Sequence, residues 1–172
     1  MKCLIINTLP EIDNQANKII NSLQFQKIDT EIFNTNKYKI GNCIGCNYCW
    51  LKTPGVCAVK DDWEILFKKI LKSDYVLFIT EARLGFISHK MKNIVDRLIP
   101  LALPETKIHK GELRHQSRYK KSWKIGLVYS GNGNKDFLNL WMERFTLNFF
   151  SKSLGAHNIN ESEELYDKIS NI

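Results

Sequence analysis

No apolar run in this 172-residue chain approaches the roughly 18 residues that a membrane-crossing helix needs. The opening Met1-Lys2-Cys3-Leu4-Ile5-Ile6-Asn7 is too short an apolar stretch for a secretory leader, and no small-residue cleavage site follows it. Internal repeats, low-complexity tracts and interdomain linkers are also missing. No nucleic-acid-binding motif accompanies the basic charge, so no nucleic-acid partner is expected. His89, His109 and His115 each stand apart from any Cys or carboxylate motif, and none is assigned a catalytic role. These absences lead to the expectation of a cytoplasmic protein without a membrane partner. In that compartment thiols stay reduced or metal-bound rather than paired as disulfides.

The composition is that of an ordinary globular domain, 44% hydrophobic and 25% charged. A chain of this length buries a sizeable core without staples, so one domain over residues 1–172 is expected. Its formal charge of +7 is concentrated. Between His89 and Lys124 stand ten Lys and Arg against three acids, which accounts for the whole excess. The bland reading is a solvated face, since charged side chains are mostly exposed.

Short β-type runs alternate with helical ones. Lys2 to Asn7 is an apolar opening run, and Asp13 to Leu23 carries Ala16, Ile19, Ile20 and Leu23 at helical spacing. Asp29 to Phe33 suits a second strand. Asp61-Asp62 opens a helix to about Lys72, with acids at its start, lysines at its end and Trp63, Leu66, Phe67 and Ile70 on its core face. Tyr75 to Thr80 is an uncharged buried strand, and Ser88 caps a helix through Leu98 that Pro100 ends. Residues 104–122 form a polar, basic excursion. A fourth strand at Trp123 to Ser130, a helix at Lys135 to Phe150 and a fifth strand at Gly155 to Asn160 precede a last small helix. Such alternation predicts an α/β fold, an open parallel sheet wrapped by helices, with ligands at the carboxyl ends of its strands.

Four of the five cysteines lie in one stretch, Cys43-Ile44-Gly45-Cys46-Asn47-Tyr48-Cys49 and then Cys57, spaced C-x2-C-x2-C-x7-C in a cysteine-rich loop over residues 41–60. Thr53-Pro54-Gly55 places a turn inside it. Thiolates this close suit an iron–sulfur cluster or a zinc ion, with reduced thiols or a labile disulfide as the plainer readings. Cys3, inside the first strand, reads as a small buried apolar residue.

The ordered series Cys43-Ile-Gly-Cys-Asn-Tyr-Cys-Trp50, Thr53-Pro-Gly-Val-Cys57, Asp61-Asp62 and Ser88-x3-Lys92-x3-Asp96-Arg97 resembles the flavodoxin-like NADPH-dependent FMN reductases, and among them the iron–sulfur flavoproteins. The resemblance implies a five-stranded flavodoxin-like sheet with helices on both faces and FMN at the strand ends. It implies a [4Fe-4S] cluster on Cys43, Cys46, Cys49 and Cys57, electron exchange with NAD(P)H or another redox donor and acceptor, and a homodimer or homotetramer. Carried over by position, Thr8, Asn14 and Gln15 would serve the FMN phosphate. Arg83, Leu84, Gly85 and Ser88, with Ser130, Gly131, Asn132 and Gly133, would border the flavin.

The first loop departs from the family pattern. Leu9 stands where Ser is usual, Glu11 where Arg is usual and Ala16 where Thr is usual, and an acid beside a phosphate dianion is repulsive. The second loop, Glu81-Ala-Arg-Leu-Gly-Phe86, lacks the family's Pro and aromatic. Asp96-Arg97 reads as a structural salt bridge or cap. A second reading therefore stands beside the reductase: a flavin-free, cluster-bearing electron-transfer or interaction subunit.

Overall fold

A computed structural model describes residues 1–10, 17, 20–21 and 28–161 of the chain. Strand β1 (Lys2–Asn7) is the apolar opening run, and it lies between β2 (Asp29–Asn34) and β3 (Tyr75–Ile87), with Ile5 opposite both Ile32 and Leu77. Next come helix α1 (Tyr48–Leu51), helix α2 (Trp63–Lys72), and, after β3, helix α3 (His89–Asp96). A hairpin of β4 (Ala102–His109) and β5 (Glu112–Ser117) precedes β6 (Lys124–Gly133), α4 (Lys135–Leu147) and β7 (Lys152–Asn158). The main sheet is parallel throughout in the order β2-β1-β3-β6-β7. Without the separate hairpin this is the flavodoxin order, whose direction reverses between β1 and β3.

Period-two alternation sorts the strand residues onto two faces. Leu4, Ile6, Val76, Phe78 and Leu127 face a core closed by Leu66 and Ile70 of α2, Met91 and Ile94 of α3, and Leu138 and Met142 of α4. Cys3, Ile5, Leu77, Ile79 and Val128 face the opposite core with Leu9, Ile20 and Leu154. Cys3 is fully buried, as read from the sequence, and burial pushes its thiol up to about 12. The helix expected over Asp13 to Leu23 lies mostly outside the described residues, and the last small helix lies wholly outside them.

Two sequence expectations change. Strand β3 does not stop at Thr80. It continues to Ile87 beside β6, with an irregularity between Ala82 and Gly85. The basic excursion is an antiparallel hairpin turned at Lys110-Gly111, where both residues have positive φ, 49° and 77°. Lys107, Arg114 and Glu112 share one face, and the Ile108–Leu113 pair on the other is exposed, so no buried apolar stripe marked the strands. Glu112 at the turn binds Arg144 of α4 as well as Arg114, pinning the hairpin to the main domain.

Candidate functional site

At the carboxyl ends of β1 and β3, short polar side chains replace the apolar run. Thr8 is buried, and its hydroxyl lies 3.1 Å from the Ile79 carbonyl and 3.0 Å from the Thr80 hydroxyl. The Thr80 hydroxyl shares a 2.8 Å hydrogen bond with that of Ser88. Ser88 in turn accepts from the Met91 N–H and caps α3. Asn7 accepts from the Leu9 N–H and donates to Asn34. These bonds lock the first loop, the end of β3 and the start of α3 together. Two of the residues read as cofactor-binding, Thr8 and Ser88, therefore already have internal partners. Asn14 and Gln15 lie outside the described residues. Leu9, where the family has Ser, is a core residue only 4% exposed.

Beyond this knot the sheet edge opens to solvent. Leu84 is fully exposed and sits in the left-handed region at φ 51°, beside Gly85 at φ 79°. A bulky residue held there is an outlier of the kind that gathers at functional sites. Arg83 is exposed and pairs with Glu81 at 2.8 Å. On β6, Ser130 and Gly133 are half-buried while Gly131 and Asn132 are exposed. Gly131 is required here: it has φ 77°, and a Cβ would stand 2.9 Å from the Ala82 carbonyl oxygen. The structure thus brings Leu84, Gly85 and Ser130 to Gly133 to one edge.

The cysteine loop forms a second centre. It leaves β2 through a 3-10 turn at Thr35–Lys37, passes Tyr38 and Ile40, and runs from Gly41 to Asp61. Its neck is closed by Arg97, whose side chain is fully buried. The guanidinium donates to Asp61 Oδ2 at 2.6 Å, the Gly41 carbonyl at 3.1 Å, Cys57 Sγ at 3.3 Å and the Val59 carbonyl at 3.4 Å. Burial opposes the charge on Arg97, but the hydrogen bonds to Asp61 and Cys57 outweigh it and hold its pKa above the ordinary value. Burial likewise opposes the Asp61 charge, yet Arg97 and the N–H groups of Gly41 and Trp63 keep that carboxyl below its usual range. The salt bridge expected of Asp96-Arg97 divides: Asp96 pairs with Lys92 on the surface, while Arg97 turns inward to Asp61.

Trp50 anchors the loop's other flank. Its indole N–H lies 3.1 Å from the Ile99 carbonyl and 3.0 Å from that of Ala102, and its ring packs against His115 at 4.7 Å between centroids. Arg118 reaches the Cys49 carbonyl from the hairpin side. Arg97, Arg114 and Arg118 of the basic segment thus hold structure together rather than form a solvated face.

Cys43, Cys46, Cys49 and Cys57 are all free and partly exposed. Cys49 has its thiol pushed up, first by burial and then by the neighbouring charges of Cys57, Cys43 and Cys46. Among the described residues no three His, Cys, Asp or Glu stand close enough to hold one metal ion. A cubane cluster makes a different demand, because each thiolate binds its own iron and the sulfurs stand wider apart than on zinc. Four soft thiols on one loop, with a buried cation donating to one of the sulfurs, are a donor set that fits such a cluster.

No family model matches the chain. Over 107 residues it is 27% identical to an iron–sulfur flavoprotein of Methanocaldococcus jannaschii, covering 60% of this chain and 54% of that protein. Over 148 residues it is 26% identical to an iron–sulfur flavoprotein of Archaeoglobus fulgidus, covering 84% of this chain and 61% of that one. The chain is similar in sequence to both of these iron–sulfur flavoproteins. It spans a little over half the length of these two curated relatives. Solved structures share the fold. An NAD(P)H:quinone oxidoreductase from Methanothermobacter marburgensis superposes with a TM-score of 0.64 at 12% identity, covering 99% of this chain and 93% of that one. Megasphaera elsdenii flavodoxin superposes at 0.51 and 13% identity, covering 98% and 99%.

One element joins the hydroxyl knot to the cysteine loop. Helix α3 begins in the hydroxyl knot at Ser88 and ends in the neck of the cysteine loop at Arg97, a rise of roughly 13 Å. Sequence alone assigns Arg97 to a salt bridge or cap and does not join it to the cysteine site. The available signal was its place in the same ordered motif as Cys57 and Asp61.

Proposed function

We propose that the chain is a flavin-dependent oxidoreductase that passes electrons between NAD(P)H or another reduced donor, FMN at the sheet edge, and a [4Fe-4S] cluster on Cys43, Cys46, Cys49 and Cys57. The observation that carries this reading is the pairing of a flavodoxin-order sheet with a four-cysteine loop whose neck is closed by Arg97 at the far end of α3. Similarity to iron–sulfur flavoproteins supports it.

The residues present fit the flavin ring better than its phosphate. Leu84 offers an exposed apolar side chain, and Ser130 to Gly133 offer backbone groups at the same edge. On the phosphate side Thr8 is committed to internal bonds. Bound there, FMN would accept hydride and release electrons singly, which is the chemistry a nicotinamide donor and a one-electron cluster require of an intermediary. The protein contributes position and electrostatics. Arg83, exposed at that edge, and Lys90, exposed beside the end of β2, are cations that could meet a dinucleotide phosphate, although Arg83 is paired with Glu81 and Lys90 donates to Asn36. Exposed Leu84, Phe137 and Leu140 support self-association beside this edge.

The internal commitment of Thr8 and Arg83 favours a second reading, a flavin-free chain that keeps only the cluster. Anaerobic titration of the reconstituted protein with NADPH and NADH decides between them. Bleaching of flavin absorbance followed by the electron-spin signal of a reduced cluster is expected. A reduced cluster obtainable with dithionite, in a protein to which FMN does not bind, would favour the second reading and reject the first.

A further inference from the structure

A buried guanidinium needs a carboxylate and carbonyl acceptors. Arg97 has these in Asp61, Gly41 and Val59. It also directs an Nη2–H at Cys57 Sγ, a weak acceptor as a thiol and a strong one as a thiolate. Its Nε is buried with no hydrogen-bond partner, and the ring of Trp63 lies 5.2 Å from the guanidinium carbon. Gly41 opens the loop while Val59 and Asp61 close it, so a single side chain holds both ends. Asp61 reinforces the closure by accepting from the Gly41 and Trp63 N–H groups.

We propose that Arg97 is a positioning residue for the redox group of the cysteine loop. It fixes the Cys57 sulfur as the fourth ligand, and its charge favours the reduced state of that group. The proposal rests on the cluster reading of the four cysteines. Cys57 is separated from Cys49 by seven residues, including a Pro-Gly turn, so its place depends on anchors outside the motif. Adding one electron to a thiolate-bound group adds one negative charge. Hydrogen bonds to ligand sulfurs and a nearby cation therefore raise the reduction potential. Asp61 offsets part of the charge, but its oxygens are shared with two backbone N–H groups, whereas an Arg97 N–H points to the sulfur.

The test uses the full chain reconstituted anaerobically with iron and sulfide, as wild type, Arg97→Lys and Arg97→Gln. Iron content, the cluster's midpoint potential under dithionite titration, and the rate of iron loss to a chelator are measured on each. Arg97→Gln is expected to lower the reduced-to-oxidised ratio at fixed potential about tenfold, equivalent to about 59 mV for one electron. Arg97→Lys, which keeps the charge but loses the fork, is expected to show a smaller fall and faster iron loss than wild type. If Arg97→Gln fails to fold, Arg97→Lys decides the matter. Equal midpoints and equal iron-loss rates in the loaded proteins would overturn the proposal and leave the cluster reading standing. A wild-type chain that takes up no iron would overturn both.

Discussion

Asp61→Asn is the substitution that probes the neck of the cysteine loop most sharply. It removes the carboxylate facing a guanidinium with no solvent exposure, and Asp61 itself is only 13% exposed at its side chain. Three donors converge on the two Asp61 oxygens: Arg97 Nη1 and the Gly41 N–H on Oδ2, and the Trp63 N–H on Oδ1. An Asn has one oxygen and one amide, so at least one of these donors would face another donor. Breaking a buried pair by removing one partner costs about 3–5 kcal/mol, because the remaining charge is left uncompensated. At a urea dependence of about 2 kcal/mol/M, the unfolding midpoint should drop by about 1.5–2.5 M near neutral pH. The gap between wild type and variant has a definite pH dependence. The folded-state pKa of Asp61 is lowered, so its contribution is fully present above the unfolded value of about 3.9 and is lost as pH falls through the folded one. The urea melts of wild type and variant should therefore stay far apart at neutral pH and converge only at acid pH, as the folded-state value is passed. A loss below about 1 kcal/mol at neutral pH, the scale of an exposed pair, would refute the buried-clamp reasoning.

Three further outcomes are expected. Ser88→Ala removes the cap of α3 and one of the Thr80 hydroxyl's hydrogen bonds, at about 1–3 kcal/mol by chemical denaturation, and unchanged stability would contradict the hydroxyl knot. Leu9→Ser, which restores the family's residue, should lower stability by about 2–5 kcal/mol without tightening FMN binding in a fluorescence titration, because Leu9 fills the core. Glu112, with Arg144 and then Arg114 beside it, is held from its ordinary 4.5 down to about 2. Amide protection in the hairpin should thus persist as pH falls through 4 and fade only toward 2, and loss already near 4.5 would contradict the tie to α4.

Much of the sheet was legible because its strands are buried on both faces. Lys2–Asn7 read as an apolar run and Tyr75–Thr80 as an uncharged one, and α2 announced itself through Trp63, Leu66, Phe67 and Ile70 at helical spacing. The β4–β5 hairpin was not legible, because a two-stranded ribbon with exposed faces needs no apolar alternation, and only Lys110-Gly111 hinted at its turn. The continuation of β3 past Thr80 was hidden for a related reason. Glu81 and Arg83 are charged, and the pairing is held by backbone contact with Ser130 and Gly131. At the sites, spacing found the cysteines, but the guanidinium that closes their loop sits forty residues beyond Cys57, and only the fold brings them together.

The cofactor content of the anaerobically purified and reconstituted chain tests the central claim most directly. The account predicts bound FMN at about one per chain together with about four irons, in a spectrum that combines flavin and cluster bands. Zinc in place of iron, or a colourless protein that takes up neither flavin nor iron, would contradict it.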